Sequence, residues 1–432
     1  MRCSPCLLSV LWILLASSGE AATFHVPSEF ATIQAGLDAS ASGDTVLVAP
    51  GAYSDYETRS IPGSGNVTAM AFIPDGVVVL SEGGRDVTEL HHGTSTPVGT
   101  WGFWADHHAT AQTRVEGFSV TSQVASRGGL ASTFSSTISV AACRFEGTAG
   151  GIGLFQTDLE VVDTEFVNCQ TTTAAGAGIN SQDGRIIVTG CTFMNCAESA
   201  VALFGNQGGP VDYAEIRDCW FEGNSSSLGT GGAVRIQRYT GGVLIDGCTF
   251  ILNTSTLIGG AAYITGDSFN PQIRECVFFG NGSEAVGGAM EIGANSTLTG
   301  CSFYGNYLNA SQGGTAISFA SSGTAMLGNC IVSATGGGSA IAFRGLNGSV
   351  NASCNVFWGT PDGIGITPSA SDRIVDPQFC DAPNGDLTLQ AASPCLPANS
   401  PGCGQVGALG EGCGAVSIER MSWGRIKAGF RN

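Results

Sequence analysis

The chain has 432 residues, of which 64 are glycine, 43% are hydrophobic and only 12% are charged. This balance excludes an intrinsically disordered chain, and the lack of glycine at every third position excludes a collagen-like one. The formal net charge of −18 argues against a nucleic-acid partner, because a strongly acidic surface repels polyanions.

Residues 1–21 have the pattern of a secretory signal peptide. Arg2 precedes an apolar stretch at 7–16, and the small residues Ala21 and Ala22 follow it. A buried core helix is the alternative, but the flanking residues favour a cleaved signal. We therefore expect a protein that is secreted, displayed at the cell surface or held in the periplasm. No later apolar run approaches the length of a membrane span.

Residues 22–45 are predicted to form an N-terminal cap. A solenoid exposes its core at each end and needs such a cover. Ile33 and Leu37 would share one face of a short helix, and that face could cover the first coil. The strand that begins at Thr45 is expected to start the repetitive part of the fold.

A unit of 24 to 29 residues recurs between residues 46 and 375. A typical unit has a cysteine, a phenylalanine two residues later, often an asparagine at the fifth position, and then Gly-Gly-Ala before an alternating strand, and earlier coils keep this pattern with substitutions. The cysteines of this series are Cys191, Cys219, Cys248, Cys276, Cys301, Cys330 and Cys354. This regularity predicts that equivalent residues from successive units stack along one axis.

The period predicts an all-β fold, a single-stranded right-handed parallel β-helix of about twelve coils with a short N-terminal capping helix. Val234 and Ile236 would point inward and Arg235 outward, as in a strand. Leucine-rich and helical repeats are the rivals, but the units have neither a leucine consensus nor a 3.6-residue period. Phenylalanines should stack in the core and asparagines at the turns.

The cysteines fall into two groups. Those of the repeat project in parallel about 4.8 Å apart, a poor geometry for disulfides, and are predicted to be buried and inert. The exception is the pair Cys169 and Cys196, which occupy the asparagine position of adjacent coils. For this pair a disulfide is left open. Residues 376–413 are predicted to form a C-terminal cap with disulfides among Cys380, Cys395, Cys403 and Cys413, in any of three pairings. A zinc site there is the weaker alternative.

Two terminal motifs resemble those of bacterial secreted right-handed parallel β-helix repeat proteins of the pectate-lyase-like superfamily. One is the stretch 25–34 with Gly43-Asp44-Thr45-Val46, and the other combines Asp376-Pro377 with Ser393-Pro394-Cys395. The resemblance implies an exported protein that is often associated with polysaccharides. It implies no catalytic residues, because this fold hosts lyases, hydrolases, epimerases, adhesins and inactive members.

Arg235, Tyr263 and Glu291 are predicted to lie at one outward register in three successive coils. An arginine, a tyrosine and a carboxylate within roughly 10 Å could hold a sugar. A solvated face with one ion pair is the alternative. A second outward series, Arg217, Asp246 and Arg274, alternates in charge and is predicted to be structural.

Four of the five histidines, His91, His92, His107 and His108, lie close to Trp101 and Trp104. The segment could be a sugar-stacking loop or a transition-metal site. Packing of the aromatic rings on the rod is the favoured alternative, because the spacing matches no metal motif. The basic and aromatic tail at 414–432 is predicted to be a disordered end, with surface attachment as the alternative.

We therefore predict an extracytoplasmic protein that binds polysaccharide or presents a surface outside the cell. The alternatives are a polysaccharide lyase or glycoside hydrolase, and a structural or adhesive protein with no sugar ligand. Catalytic residues remain unassigned and no metal ligands are predicted. No cofactor is required, although Ca2+ stays open. The expected partner is a polysaccharide or cell-surface glycan, and the expected state is a monomer.

Overall fold

A computed structural model describes residues 21–106, 109–110, 113–123, 127–135, 137–171, 175–206, 212–265, 270–293, 295–309, 313–320, 323–333, 339–344, 348–360 and 363–413. Within these segments no helix is long and apolar enough to cross a membrane. Most of the predicted signal peptide, the basic tail, His107 and His108 lie outside the described residues.

Three long sheets run the length of the molecule, and each coil contributes one strand to each of them. Sheet A consists of Thr23–Val26, Thr45–Val48, Val78–Ser81, Arg114–Glu116, Thr137–Ala141, Asp158–Val162, Arg185–Thr189, Tyr213–Arg217, Val243–Asp246, Gln272–Arg274, Thr297–Thr299, Thr324–Gly328 and Ser349–Ser353. Sheet B consists of Gly51–Tyr53, Thr88–His92, Ser119–Ser122, Arg144–Glu146, Glu165–Val167, Thr192–Met194, Trp220–Glu222, Thr249–Ile251, Val277–Phe279, Ser302–Tyr304, Ile331–Ser333, Val356–Trp358 and Arg373–Ile374.

Sheet C consists of Glu57–Ile61, Gly65–Phe72, Trp101–Asp106, Gly128–Thr133, Ile152–Phe155, Ile179–Gln182, Val201–Phe204, Val234–Gln237, Ala262–Thr265, Met290–Ile292, Ile317–Phe319 and Ile341–Phe343. A short fourth sheet consists of Ser225–Ser226, Thr254–Ser255, Gly282–Ser283 and Tyr307–Leu308. The remaining elements are the helix Ile33–Ala39, the strand pair Phe379–Asp381 and Asp386–Leu389, and the 3-10 turns Ala382–Asn384 and Pro397–Asn399. The all-β parallel β-helix predicted from the repeat is confirmed.

The phenylalanines of successive units stack face to face inside the rod. Ring centroids from Phe166 through Phe303 are 4.7–4.8 Å apart, and neighbouring planes differ by at most 4°. These rings are completely buried. The centroid distance equals the spacing of neighbouring strands, so the side chains follow the backbone without tilting. The predicted ladder is therefore confirmed, and it fixes the register of these coils. That register determines where the outward-facing residues lie.

A second ladder runs through the turns after sheet B. Asn224, Asn253, Asn281 and Asn306 are buried, and the side-chain amide of each of the first three donates to the carboxamide oxygen of the next at 2.9–3.0 Å. The same amides also donate to backbone carbonyls inside the rod, as Asn253 does to Phe221 at 3.0 Å. Each buried carboxamide thus has its hydrogen bonds satisfied, as a buried polar group requires.

The ladder cysteines are free and buried, with the exception of Cys354. Cys354 was predicted to belong to the ladder but forms a disulfide with Cys403, with the Cα atoms 5.5 Å apart. Register explains the difference, because Val356 pairs with Ile331 and Asn355 therefore occupies the ladder position above Cys330. Cys354 sits one residue earlier, at a corner with φ of 60°.

The second disulfide joins Cys380 to Cys413, with the Cα atoms 5.2 Å apart. Cys395 was predicted to be bonded and is instead a free, fully buried thiol. It packs among Leu387, Leu389 and Val406, and burial raises its pKa to about 11. The apolar surroundings make it a small core residue rather than a bridging one.

The N-terminal end differs from the sequence-based expectation in two details. The predicted helix is present at Ile33–Ala39, with Ile33 and Leu37 buried. However, Thr23–Val26 already pairs in parallel with Thr45–Val48, so the first coil begins before the helix and not after it. A hairpin of Glu57–Ile61 and Gly65–Phe72 also adds the one antiparallel edge to sheet C.

The C-terminal segment packs on the outer side of sheet B. Its apolar residues Phe379, Leu387, Leu389 and Val406 form a cluster with residues of sheet B that include Val277, Ile331 and Val356. The backbone N–H of Ala408 reaches Ser302 Oγ at 3.0 Å. The segment therefore covers the last coils of sheet B.

Candidate functional site

The outer face of sheet C brings Arg235, Tyr263 and Glu291 together as the repeat predicts. Arg235 pairs with Tyr263, and Tyr263 pairs with Glu291, in three successive parallel strands. Gln237 and Thr265 form the neighbouring outward register. This placement follows from the Gly-Gly-Ala turn, because each Gly-Gly step comes so close to the next coil that a Cβ on Gly232 would lie 2.4 Å from the Gly260 carbonyl oxygen.

Glu291 is buried although it lies on the outer face. Its side chain is 1% exposed and forms an ion pair with Arg344, whose Nη1 lies 2.8 and 3.1 Å from the two carboxylate oxygens. Burial raises the pKa of the Glu291 carboxyl, and the hydrogen bond from Arg344 opposes that rise. A carboxylate in this state orients its surroundings and is not freely available to a ligand.

Arg235 is half-buried and lies over an aromatic ring of the preceding coil. Its guanidinium carbon is 4.9 Å from the centroid of the Phe204 ring, and its Nη2 donates to Gln237 Oε1 at 3.1 Å. Burial lowers the pKa of the guanidinium, which nevertheless stays charged at neutral pH. Arg235 and Phe204 thus form a planar platform that the sequence pattern did not reveal.

Trp101 and Trp104 lie on the same outer face, near its N-terminal end. Trp104 is 9% exposed and packs with Phe72 and Ala131, so its ring is buried against the rod. Trp101 is partly exposed and lies across Gly153, where a Cβ would come within 3.2 Å of the indole. The packing interpretation of this segment therefore holds for Trp104, while Trp101 still presents part of its ring.

The two described histidines of this segment do not form a metal site. His92 is buried, its Nε2 lies 3.1 Å from the Gly128 carbonyl oxygen, and burial lowers its pKa to about 4. His91 lies on sheet B, where its Nδ1 is 3.1 Å from Glu89 Oε1. Within the described segments no group of three or more His, Cys, Asp or Glu side chains could hold a metal ion.

A discontinuous series of partly exposed aromatic rings follows the outer face of sheet C, which we call the aromatic face. The partly exposed rings of Trp101, Phe155, Phe204 and Tyr263 come from every second strand of the sheet. Between Phe155 and Phe204, and beyond Phe204, the amides Gln182 and Gln237 occupy the same register. Sequence analysis missed Phe155 and Phe204, although each ends an alternating segment of its unit and could have been found there.

The outer face of sheet A is charged instead. Arg217 pairs with Asp246 at 2.5 Å and with Glu215 at 2.5 Å, as expected for a structural series. Arg274 departs from that expectation, because its side chain donates to Gln272. Nearer the N-terminus the same face has a shallow groove of about 230 Å³, lined by Arg114, Glu116, Ser139, Val140, Ala141, Ala142, Glu160, Val162 and Asp163.

Solved structures with similar folds act on polysaccharides, according to their names. The catalytic unit of a thermostable GH87 alpha-1,3-glucanase from Streptomyces thermodiastaticus strain HF3-3 has a TM-score of 0.54 at 15% identity, covering 82% of this chain and 68% of that chain. The catalytic domain of a GH87 alpha-1,3-glucanase in complex with nigerose has a TM-score of 0.43 at 12% identity, with coverages of 83% and 70%. The Azotobacter vinelandii mannuronan C-5 epimerase AlgE6 A-module has a TM-score of 0.38 at 13% identity, with coverages of 79% and 93%. At 15% identity, the likeness to the first of these structures shows the fold alone.

No curated protein matches the sequence. The family described as right handed beta helix region matches residues 110–211 and 206–331. These two matches together span more than half of the chain, and they coincide with the coils whose phenylalanine and asparagine ladders are described above. The protein therefore belongs to the right-handed β-helix family.

Proposed function

We propose that the protein binds an uncharged polysaccharide along the aromatic face. The observation that carries this proposal is the presence of a partly exposed aromatic ring on every second coil, at Trp101, Phe155, Phe204 and Tyr263. Two coils correspond to roughly 9–10 Å along the rod. A ligand that is itself a chain of repeating rings can use every platform of such a series, whereas a compact ligand can use only one.

The chemistry of the aromatic face suits sugars. The apolar faces of sugar rings pack on aromatic side chains, and their hydroxyl groups bond to planar polar groups placed beside the rings. Gln182 and Gln237 provide such amides in the same register as Phe155 and Phe204, and Asn180 lies at the neighbouring register. Arg235 adds a guanidinium that its stacking on Phe204 already orients.

Charge favours an uncharged ligand. In the described strands of sheet C from Gly128–Thr133 to Ile341–Phe343, Glu291 is the single carboxylate and Arg235 the single basic residue. The protein as a whole carries a net charge of −18, which repels polyanions at long range. The ligand we propose therefore carries hydroxyl groups rather than uronic acids or sulfates.

Binding is favoured over hydrolysis on this face. Glycoside hydrolysis needs two carboxyl groups roughly 5–9.5 Å apart, one of them free to donate or accept a proton. Glu291 is the single carboxylate of these strands, and it is buried in an ion pair with Arg344. Secretion to an oxidising compartment is also part of the proposal, and the disulfides Cys354–Cys403 and Cys380–Cys413 support it.

The groove on sheet A supports a second candidate function, hydrolysis of a polysaccharide. Glu116, Glu160 and Asp163 line it around the small residue Ala141. Two of these carboxylates could flank a glycosidic bond, although Arg114 pairs with Glu116 at 2.8 Å. If this candidate is correct, Glu160→Gln abolishes the release of reducing ends and Glu291→Gln does not.

The experiment that tests the proposal measures binding of the purified mature protein to a panel of neutral and acidic polysaccharides. Affinity electrophoresis gives the dissociation constant, and assays for reducing ends and unsaturated products detect cleavage. Phe204→Ala and Tyr263→Ala should each weaken binding of the neutral ligand by roughly three- to tenfold. Tyr213→Ala is the matched control, because Tyr213 is a partly exposed tyrosine on the outer face of sheet A.

The proposal fails if the protein binds no neutral polysaccharide, or if Tyr213→Ala weakens binding as much as Tyr263→Ala does. Selective binding of an acidic polysaccharide would also contradict it. The absence of both binding and cleavage would favour a structural or adhesive role with no sugar ligand.

A further inference from the structure

Two buried aspartates meet where the rod turns from sheet C to sheet A. Asp183 follows the strand Ile179–Gln182 and adopts a φ of 62°, the left-handed conformation that aspartate tolerates better than most residues. Its backbone N–H donates to the Phe204 carbonyl oxygen, and that of Gly205 donates to the Gln237 carbonyl oxygen, each at 2.9 Å. Asp183, Gly205 and Arg238 therefore stack at the same corner in three successive coils.

Asp212 reaches the same corner from the start of the next sheet A strand. Its Oδ1 accepts a hydrogen bond from the backbone N–H of Gly184 at 2.9 Å. A Cβ on Gly205 would lie 2.6 Å from Asp212 Oδ2 and 2.2 Å from the carbonyl oxygen of Arg238. Two oxygen atoms thus approach Gly205 so closely that only a residue without a side chain fits between them.

The carboxylate of Asp183 is buried without compensation from the described part of the chain. Asp183 and Asp212 are each 1% exposed. Both carboxylate oxygens of Asp183, and Oδ2 of Asp212, have no hydrogen-bond partner among the described residues. A buried and unpaired carboxylate is costly, so the charge at this corner requires a counter-charge.

We propose that this corner binds one Ca2+ ion. Asp183, Asp212 Oδ2 and the Arg238 carbonyl would provide protein oxygens, and water would complete the six to eight oxygen ligands that Ca2+ takes. An all-oxygen donor set containing two carboxylates selects a hard cation over a transition metal. The ion neutralises the two carboxylates and links three successive coils at this corner of the rod. The site is distinct from the aromatic face and does not depend on polysaccharide binding.

Calorimetric titration of the chelator-treated, full mature protein with CaCl2 tests the proposal, together with thermal unfolding at each Ca2+ concentration. We expect one site per chain and a rise of at least roughly 2 °C in the melting temperature at saturation. MgCl2 should have a smaller effect, because Mg2+ demands stricter octahedral geometry. Asp183→Asn should weaken Ca2+ binding at least roughly tenfold, because it removes one of two carboxylate ligands.

Asp218→Asn is the matched control, because Asp218 also has a positive φ, 52°, at a turn of the rod but is exposed. It should bind Ca2+ like the unmodified protein. The proposal is overturned if the unmodified protein does not bind Ca2+, or if Asp183→Asn binds it equally well. Stabilisation by acid without any response to Ca2+ would also overturn it. Asp212→Asn repeats the test should Asp183→Asn fail to fold.

Discussion

The asparagine ladder offers a quantitative test of how the rod is held together. Replacement of Asn253 by alanine removes four hydrogen bonds of 2.9–3.0 Å: the amide bonds to Phe221 O and Asn281 Oδ1, and the bonds that Oδ1 accepts from the backbone and side chain of Asn224. Each such bond contributes about 1 kcal/mol net, and the buried N–H of Asn224 also loses its acceptor. We therefore expect the free energy of unfolding to fall by roughly 4 kcal/mol.

Guanidinium unfolding followed by far-UV circular dichroism measures this change. Asn309→Ala is the control, because Asn309 is exposed and its side chain bonds only at the surface, to Glu284. Its cost should stay within about 0.5 kcal/mol. Asn253→Asp keeps the size of the side chain but cannot donate, so it should cost at least as much as the alanine variant. A loss below about 1 kcal/mol for Asn253→Ala would refute the ladder as a source of stability.

Three further predictions concern buried ionisable groups. Burial holds the pKa of His92 at about 4, against 6.5 in the unfolded chain, so the unfolded chain binds the proton first as the pH falls. The free energy of unfolding, measured with urea, should therefore fall by roughly 3 kcal/mol between pH 6.5 and pH 4. His92→Gln should abolish this fall. Arg344→Ala should lower the melting temperature by leaving the Glu291 carboxylate buried and unpaired, and adding Glu291→Gln should restore part of the loss. A maleimide should label Cys395 only in denaturant, as peptide mass spectrometry would show, because the thiol is fully buried.

The ladders could be predicted from the sequence because, in a solenoid, residues at equal spacing along the chain occupy equivalent positions in successive coils. Once Phe221, Phe250 and Phe278 recur at a fixed distance from their cysteines, only stacked coils place them in one core. The same register brings Arg235, Tyr263 and Glu291 together. Local chemistry was sufficient here because each coil contacts mainly its neighbours, and no long-range information is needed.

Features that depend on contacts between distant segments could not be predicted. The Cys354–Cys403 disulfide arises because the unit is shifted by one residue and because the C-terminal segment returns over sheet B. The shift was visible in Phe357, which follows Cys354 by three residues instead of two. The burial of Glu291 depends on Arg344, 53 residues further along the chain. The spacing of residues within a repeat does not predict contacts of this kind between distant segments.

The burial of Asp183 and Asp212 could not be predicted from the sequence either. Neither aspartate belongs to a recognisable metal motif, and the two are 29 residues apart in the sequence. Asp212 reaches the neighbouring coil through its bond to the backbone N–H of Gly184. Their proximity depends on Gly205, because a side chain at this position would clash with Asp212 Oδ2. A cluster of this kind is visible only once the coils are stacked.

The crystal structure of the protein with an oligosaccharide of the neutral polysaccharide that binds best is the most direct test of the central claim. We predict sugar rings stacked on Phe155, Phe204 and Tyr263, with the chain axis along the rod and with hydroxyl groups bonded to Gln182 and Gln237. A ligand bound instead in the groove of sheet A, near Arg114 and Glu160, would contradict the claim that the aromatic face is the binding surface.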